Sequence, residues 1–313
     1  MIQLSVIVVS YNAKAVLLEC LRSIQPLITD ASVETIVIDN NSADDTVQSI
    51  KLSFPRVKVF QNSQNVGFGT ANNQGMKSAQ GKYFLLLNSD TIAARAEIDK
   101  CVQFIENNPQ CGMVGCKLKF PDGRFQPSGG YRFTFLNAFW GGMEVNTLLE
   151  KIPGCPLRIP SYLLTEKEAM GVREVDWIVG AFMLLRREVY ANTGGFDENI
   201  FLYDEEYEWC YRIKKAGYKI FYFPPAEIVH IGGASGASLG DLNRNILILQ
   251  GKEYFFKKHA GKLSALYYKL LVFSAAVLKV PLLFLLSWLL PNSRRLKNRL
   301  FFQYSTIVYF LRG

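Results

Sequence analysis

The sequence predicts an α/β fold with a mostly parallel central sheet flanked by helices, Rossmann-like in layout, followed by a basic, apolar helical tail. Short β-branched runs alternate with amphipathic stretches through the first third of the chain, the rhythm of right-handed βαβ units. Each of the first four runs ends in polar residues, which in such sheets gather beyond the carboxyl edge where ligands bind. The charge is also divided: of the net +8 on 313 residues, 251–313 carry +10 and the rest −2.

Leu4–Val9 is a continuous apolar run suited to a strand covered on both faces. Ser10-Tyr-Asn12 follows, then an amphipathic stretch from Ala13 to about Gln25. Val33–Ile38 ends in Asp39-Asn-Asn-Ser42, and Asp44-Asp45 opens the next helix. Val57–Phe60 ends in Gln61-Asn-Ser63, and Gly67–Ala79 reads as helix. Tyr83–Leu87 ends in Asn88-Ser-Asp90, with a helix from about Ala94 to Asn107. These ends predict one shared site.

After Cys116 the rhythm changes, and 117–174 is rich in Gly and Pro, hence in loops. Regular structure resumes at Val175–Arg186. Two strands, Tyr218–Phe223 and Glu227–His230, and a helix over Asn243–Lys258 complete a body of residues 1–258.

Within that body, Gly195–Arg212 places Asp204, Glu205, Glu206 and Glu208 among Tyr203, Tyr207, Trp209 and Cys210. As the first turns of a helix running to about Lys215, this spacing sets Glu205 over Trp209 and Glu206 over Cys210. Carboxylates are favoured at a helix N-terminus, and one lodged against aromatic surface has its pKa raised toward that of a general base. The alternative is a capped amphipathic helix with a charged first turn.

The six cysteines form no CxxC pair and no disulfide-scaffold density, so reduced thiols are expected. Met1–Val9 has no basic stretch or cleavage site, and no signal peptide is expected. The near-neutral body argues against a nucleic-acid face.

The tail, 259–313, differs. Residues 270–290 carry one charge, Lys279, and one proline, Pro281, and are long enough to span a bilayer core of about 30 Å. Both flanks are basic, through Lys257, Lys258 and Lys262 on one side and Arg294, Arg295, Lys297 and Arg299 on the other. Helices lying in the interface of an anionic cytoplasmic leaflet, or a re-entrant pair broken at Pro281, satisfy both flanks. The expectation is peripheral or monotopic association through 263–313; the alternative is a helix buried in an oligomer interface.

Hard oxygen donors suit Mg²⁺ or Mn²⁺. Asp90 at a strand's carboxyl end is one candidate ligand, and His230, ending a short strand, is another. Taken singly, Asp90 also reads as a helix cap and His230 as a hydrogen-bonded structural residue.

Ser5-Val-Ile-Val-Val-Ser-Tyr-Asn12, Val37-Ile-Asp-Asn-Asn-Ser-Ala-Asp44, Asn65-Val-Gly-Phe-Gly69, Leu86-Leu-Asn-Ser-Asp90, Gly194-Gly-Phe-Asp197, the acidic helix and Val229-His230 occur in one order. That series resembles the inverting family-2 glycosyltransferases of GT-A fold, especially the rhamnosyltransferase-like branch that builds cell-surface polysaccharides. The resemblance covers about residues 3–258. It implies a dTDP- or UDP-sugar donor, a polyprenyl-linked or glycan acceptor, and work at the cytoplasmic face of the membrane. It implies that Asp39 holds the nucleobase, with Ser10 and Tyr11 at base and ribose, and that Gly67, Phe68 and Asn72 line the nucleotide side. Asn88-Ser-Asp90 stands where the family has Asp-x-Asp, so Asp90 is the implied metal ligand, Asn88 its neutral neighbour, and His230 the additional ligand. Trp177 matches a position facing donor sugar and acceptor. The family's Glu-Asp pair is here Glu205-Glu206, with Glu206 the implied base and Glu205 the runner-up. No Arg-Trp pair is present, whereas processive relatives carry Gln-x-x-Arg-Trp, so addition of one sugar is implied. Two other readings are a sugar-1-phosphate nucleotidyltransferase, which lacks its phosphate loop here, and an inactive membrane-tethered sugar-nucleotide-binding scaffold.

Overall fold

The computed structural model describes residues 2–141, 161–232, 240–289 and 293–312; Cys155 and the prolines between 153 and 160 lie outside them. The chain forms two compact units, one within Met1–Tyr131 and Leu163–Ala237, the other within Arg132–Tyr162 and Ser238–Gly313.

The first unit is built on strands β1 (Leu4–Ser10), β2 (Val33–Asp39), β3 (Lys58–Gln61), β4 (Tyr83–Asn88), β5 (Thr91–Ile92), β6 (Cys111–Lys119), β7 (Phe125–Gln126), β8 (Gly129–Gly130), β9 (Arg173–Val175), β10 (Trp177–Ile178), β11 (Phe182–Arg186) and β12 (Lys219–His230). Its helices are α1 (Lys14–Ser23), α2 (Gln25–Ile28), α3 (Thr46–Ser53), α4 (Phe68–Ser78), α5 (Arg95–Asn107), α6 (Arg187–Thr193) and α7 (Glu205–Lys215). The main sheet runs β3-β2-β1-β4-β11-β6-β12-β5, and β10 pairs with β8 apart from it. Strands β1 to β4 pair parallel with one another, while β11 is antiparallel to both β4 and β6.

β1 is buried along its whole length, as its unbroken apolar run predicts. Val6 and Val8 join Leu17, Leu21, Ile50, Ile98 and Ile105 of the helices in one core, while Gly75 of α4 lies against Ile7 on the other face. Burying a residue such as Leu17 or Ile98 in this core contributes about 1.5–3 kcal/mol relative to exposure. In register, Ser10 pairs with Asp39 and Val9 with Asn88, so the polar strand ends line up along one edge.

Two features depart from the sequence reading. β6 is an interior strand that the sequence reading did not assign, because Gly112 and Gly115 interrupt its apolar run. Gly115 is needed there: a Cβ would lie 2.9 Å from Ile178 Cγ2. The two strands expected over 218–230 are one, β12, which passes through Pro224-Pro225 with a register shift against β6 between Phe223 and Glu227. The irregularity accommodates two residues that cannot donate to the ladder. Among the described residues Cys20, Cys101, Cys111, Cys116 and Cys210 are free and buried.

The second unit holds α8 (Gly240–Ala260), α9 (Lys262–Leu289) and α10 (Arg294–Arg312). Phe135 stacks on Phe256 at 4.6 Å between ring centres, and Lys252 Nζ sits 5.0 Å from the Phe133 ring centre. α9 continues through Pro281, so the pair of helices broken there is not formed; proline forfeits one backbone hydrogen bond without ending the helix.

Candidate active site

The carboxyl ends of β1 and β2 build the first half of the site. Asp39 is buried; its Oδ2 accepts the Ser42 N–H at 3.0 Å, while Oδ1 has no hydrogen-bond partner among the described residues, nor does Ser10 Oγ beside it. Buried polar atoms are normally satisfied, so two unsatisfied oxygens on adjacent strand ends mark a place prepared for a polar ligand. The two loops are tied together: Asn12 N–H donates to Ser42 Oγ at 2.9 Å and Asn12 Oδ1 accepts the Ala43 N–H at 2.8 Å. Asn12 and Asn41 both take positive φ, 48° and 68°, a conformation asparagine tolerates better than most residues. Tyr11, directly before Asn12, is half-buried.

Asn40, which the sequence reading passed over, joins this edge to the next loop. Its amide donates to Asn65 Oδ1 at 2.8 Å and to the Gly67 carbonyl at 3.2 Å, and its oxygen accepts from Asn62 Nδ2 at 3.0 Å and Val66 N–H at 3.1 Å. Gly67 has φ 88°, and a Cβ there would lie 2.5 Å from the Phe201 carbonyl. The next residue, Phe68, donates its N–H to that same carbonyl at 3.1 Å, tying the start of α4 to the chain entering α7. Asn72 turns its amide back onto the Phe68 carbonyl at 3.0 Å.

Asp90, Asn88 and His230 come together at the end of β4. His230 Nε2 lies 3.2 Å from Asp90 Oδ1 and 3.5 Å from Asn88 Nδ2. The Ile231 N–H donates to the Asp90 carbonyl at 2.9 Å, fixing the two backbones. His230 Nδ1 lies 3.1 Å from Gln126 Oε1, a second residue that the sequence reading missed. Asp90 and His230 are 4% and 7% exposed. Among the described residues no cluster of three or more His, Cys, Asp or Glu side chains is arranged for a metal. Two protein donors, one hard oxygen and one imidazole nitrogen, fit a divalent ion that also takes phosphate oxygens and water.

The acidic helix supplies the other half. α7 begins at Glu205, directly after Tyr203 and Asp204, which both adopt left-handed φ of 71° and 69°. Such strain costs of order 1–3 kcal/mol per residue and collects at functional sites. Glu205 is 3% exposed; burial, and then the charge of Glu206, hold its carboxyl well above the ordinary range. Glu206 is half-buried. Glu208 is a structural member: Arg212 Nε and Nη2 reach its oxygens at 2.8–3.0 Å, and the same guanidinium donates to the carbonyls of Thr193 and Gly195. Asn73 holds the adjoining Gly-Gly-Phe-Asp turn through the Phe196 N–H and carbonyl, both at 2.9 Å.

The halves connect through β10 and β11. The Asn88 N–H donates to the Ala181 carbonyl at 3.0 Å, and upstream Trp177 lies edge-on to Tyr207 of α7 at 6.1 Å. Trp177 donates Nε1–H to the Tyr131 carbonyl at 3.2 Å and is 8% exposed.

The family model described as "Glycosyl transferase family 2" matches residues 5–192, and "Glycosyltransferase like family 2" matches 159–245. The chain is 28% identical over 246 residues to "N-acetylglucosaminyl-diphospho-decaprenol L-rhamnosyltransferase" of Mycobacterium tuberculosis, covering 72% of this chain and 75% of that protein. It is 24% identical over 171 residues to "Rhamnosyltransferase WbbL" of Escherichia coli, covering 52% of this chain and 60% of the other. Its fold is similar to that of the mannosyltransferase PcManGT from Pyrobaculum calidifontis, solved in complex with GDP-Man and Mn²⁺. The TM-score is 0.61 at 17% identity, over 99% of this chain and 86% of that one.

Proposed function

The chain belongs to glycosyl transferase family 2, as a rhamnosyltransferase-like glycosyltransferase of cell-surface polysaccharide synthesis, and we propose that it moves one sugar with inversion, using Glu206 as base. The donor is a dTDP- or UDP-sugar, rhamnose being the sugar the relatives' names favour; the acceptor is a hydroxyl of a polyprenyl-linked saccharide or glycan.

The observation that carries the proposal is the carboxylate pair at the head of α7. Burial and the neighbouring charge of Glu206 raise the Glu205 pKa well above the ordinary range, and Glu206 is the more accessible of the two carboxyls. Glu206 therefore takes the proton of the acceptor hydroxyl as its oxygen attacks the anomeric carbon, and the bond to the nucleoside diphosphate breaks on the opposite face. At the other end Asp39 Oδ1 accepts an N–H of the pyrimidine, and Ser10 Oγ meets the base or ribose. Trp177 borders the sugar. Asp90 and His230 would hold Mg²⁺ or Mn²⁺, which as a Lewis acid neutralises charge on the leaving diphosphate.

The tail supports work at a membrane surface. Lys262–Leu285 is long and apolar enough to cross a bilayer, with mean hydropathy 1.8. Its faces differ: Ala265, Tyr268, Ala275, Ala276, Lys279 and Leu283 are buried, while Leu278, Phe284 and Trp288 are exposed. An exposed face of large apolar residues, with basic flanks, suits a helix lying on an anionic cytoplasmic leaflet.

The test is a donor screen following UDP or dTDP release from a panel of nucleotide sugars, with and without Mn²⁺ or Mg²⁺. Metal-dependent release from one donor supports the proposal; donor binding without release, even with lipid-linked acceptor present, contradicts it.

A further inference from the structure

We propose that Gln126 is the positioning residue of the cation site, selecting the tautomer in which His230 can bind a metal; this rests on the reading of Asp90 and His230 as cation ligands. β7 pairs with β6 and sets Gln126 opposite Leu118. From there Gln126 Oε1 lies 3.1 Å from His230 Nδ1, on the side of the ring away from Asp90. An amide oxygen only accepts, so Gln126 favours a proton on Nδ1, and the neutral ring of that tautomer presents a lone pair at Nε2.

That lone pair faces Asp90 Oδ1 at 3.2 Å, with both side chains almost wholly buried. Two electron-rich atoms at that distance in a buried place repel unless a proton or a metal cation lies between them. Asn88 adds no charge: its Nδ2 is 3.5 Å from the same nitrogen, where an amide can donate to the ring.

Without the acceptor on Nδ1, the proton moves to Nε2. The ring then donates directly to Asp90, closing a His–Asp hydrogen bond that occupies both metal donors. Gln126 therefore decides between a closed pair and an open two-donor site. Partners that fix a ligating imidazole in this way typically contribute 10–100-fold to metal affinity.

The experiment is Mn²⁺ titration of the full chain, followed by loss of the paramagnetic signal of free Mn²⁺. It is run alone and with UDP or dTDP, on wild type, Gln126→Leu and Gln126→Glu, with circular dichroism melts to confirm folding. The Leu variant should melt like wild type and bind Mn²⁺ about 10–100-fold more weakly. The Glu variant, which only accepts, should bind at least as tightly as wild type. A Leu variant with wild-type affinity overturns the proposal. So does a Glu variant as weak as Leu, since the amide would then be donating to the ring. Wild type that binds no Mn²⁺ under any of these conditions overturns the reading of Asp90 and His230 as cation ligands, and this inference with it.

Discussion

His230 Nε2 stands 3.2 Å from Asp90 Oδ1, two residues 140 positions apart in the chain joined by the pairing of β12 with β5. His230 lies opposite Thr91 in that register, so the short β5 that follows Asp90 carries the contact. Replacing Asp90 by Asn should lower metal-dependent donor turnover roughly 100- to 1,000-fold, the several kcal/mol a Lewis acid contributes. Nucleotide binding without metal should be little changed. Steady-state kinetics beside calorimetric titration with UDP or dTDP separates the two effects.

Glu208 and Arg212 form a bidentate pair, with Glu208 fully buried and Arg212 also holding the carbonyls of Thr193 and Gly195. Arg212→Ala leaves a buried carboxylate unpaired and should cost about 3–5 kcal/mol. Glu208→Ala should cost a similar amount, because the guanidinium then loses its counter-charge. Urea denaturation midpoints measure both.

Glu205 gives a pH dependence of known sign. Its folded pKa is raised above the unfolded value of about 4.5, so the folded state binds the proton more tightly. The stability it contributes is complete below that value and falls as pH rises toward the raised folded pKa. Glu205→Gln, which keeps the neutral shape, should flatten the decline above pH 4.5 and melt higher than wild type at alkaline pH. Thermal melts of both proteins across pH check this.

The exposed side of α9 should control membrane binding. Leu278→Glu with Trp288→Glu places two charges on exposed positions and should abolish co-sedimentation with phosphatidylglycerol vesicles, while donor turnover in solution persists. Binding equal to wild type would remove α9 from the membrane contact.

The parallel half of the fold was legible because β1, β2 and β4 are buried on both faces and so carry unbroken apolar runs. Asp39, Asp90, His230 and the carboxylate pair stood out because charged or titratable residues at strand ends and helix starts need an explanation. β6 was hidden by Gly112 and Gly115, whose value is the missing side chain that lets Ile178 approach. Asn40, Asn73 and Gln126 were hidden for another reason: each acts through contacts made by folding. Asn73 reaches Phe196 across 123 positions and Gln126 reaches His230 across 104, distances no local pattern records. Glu208 looked equivalent to its neighbours until Arg212, one turn on, was seen to neutralise it.

The most direct test of the central claim is nucleoside diphosphate release under saturating donor, metal and acceptor, with wild type, Glu206→Gln and Glu205→Gln side by side. The donor is the one the screen selects. Glu206→Gln should lower kcat by about 10²–10⁴-fold, the usual range for a lost general base, with donor affinity unchanged. Glu205→Gln should keep most of the activity, since Glu205 is the buried member of the pair, not the base in this account, and glutamine keeps its shape. The reverse pattern, an active Glu206→Gln and an inactive Glu205→Gln, would contradict the account and move the base one residue back along α7.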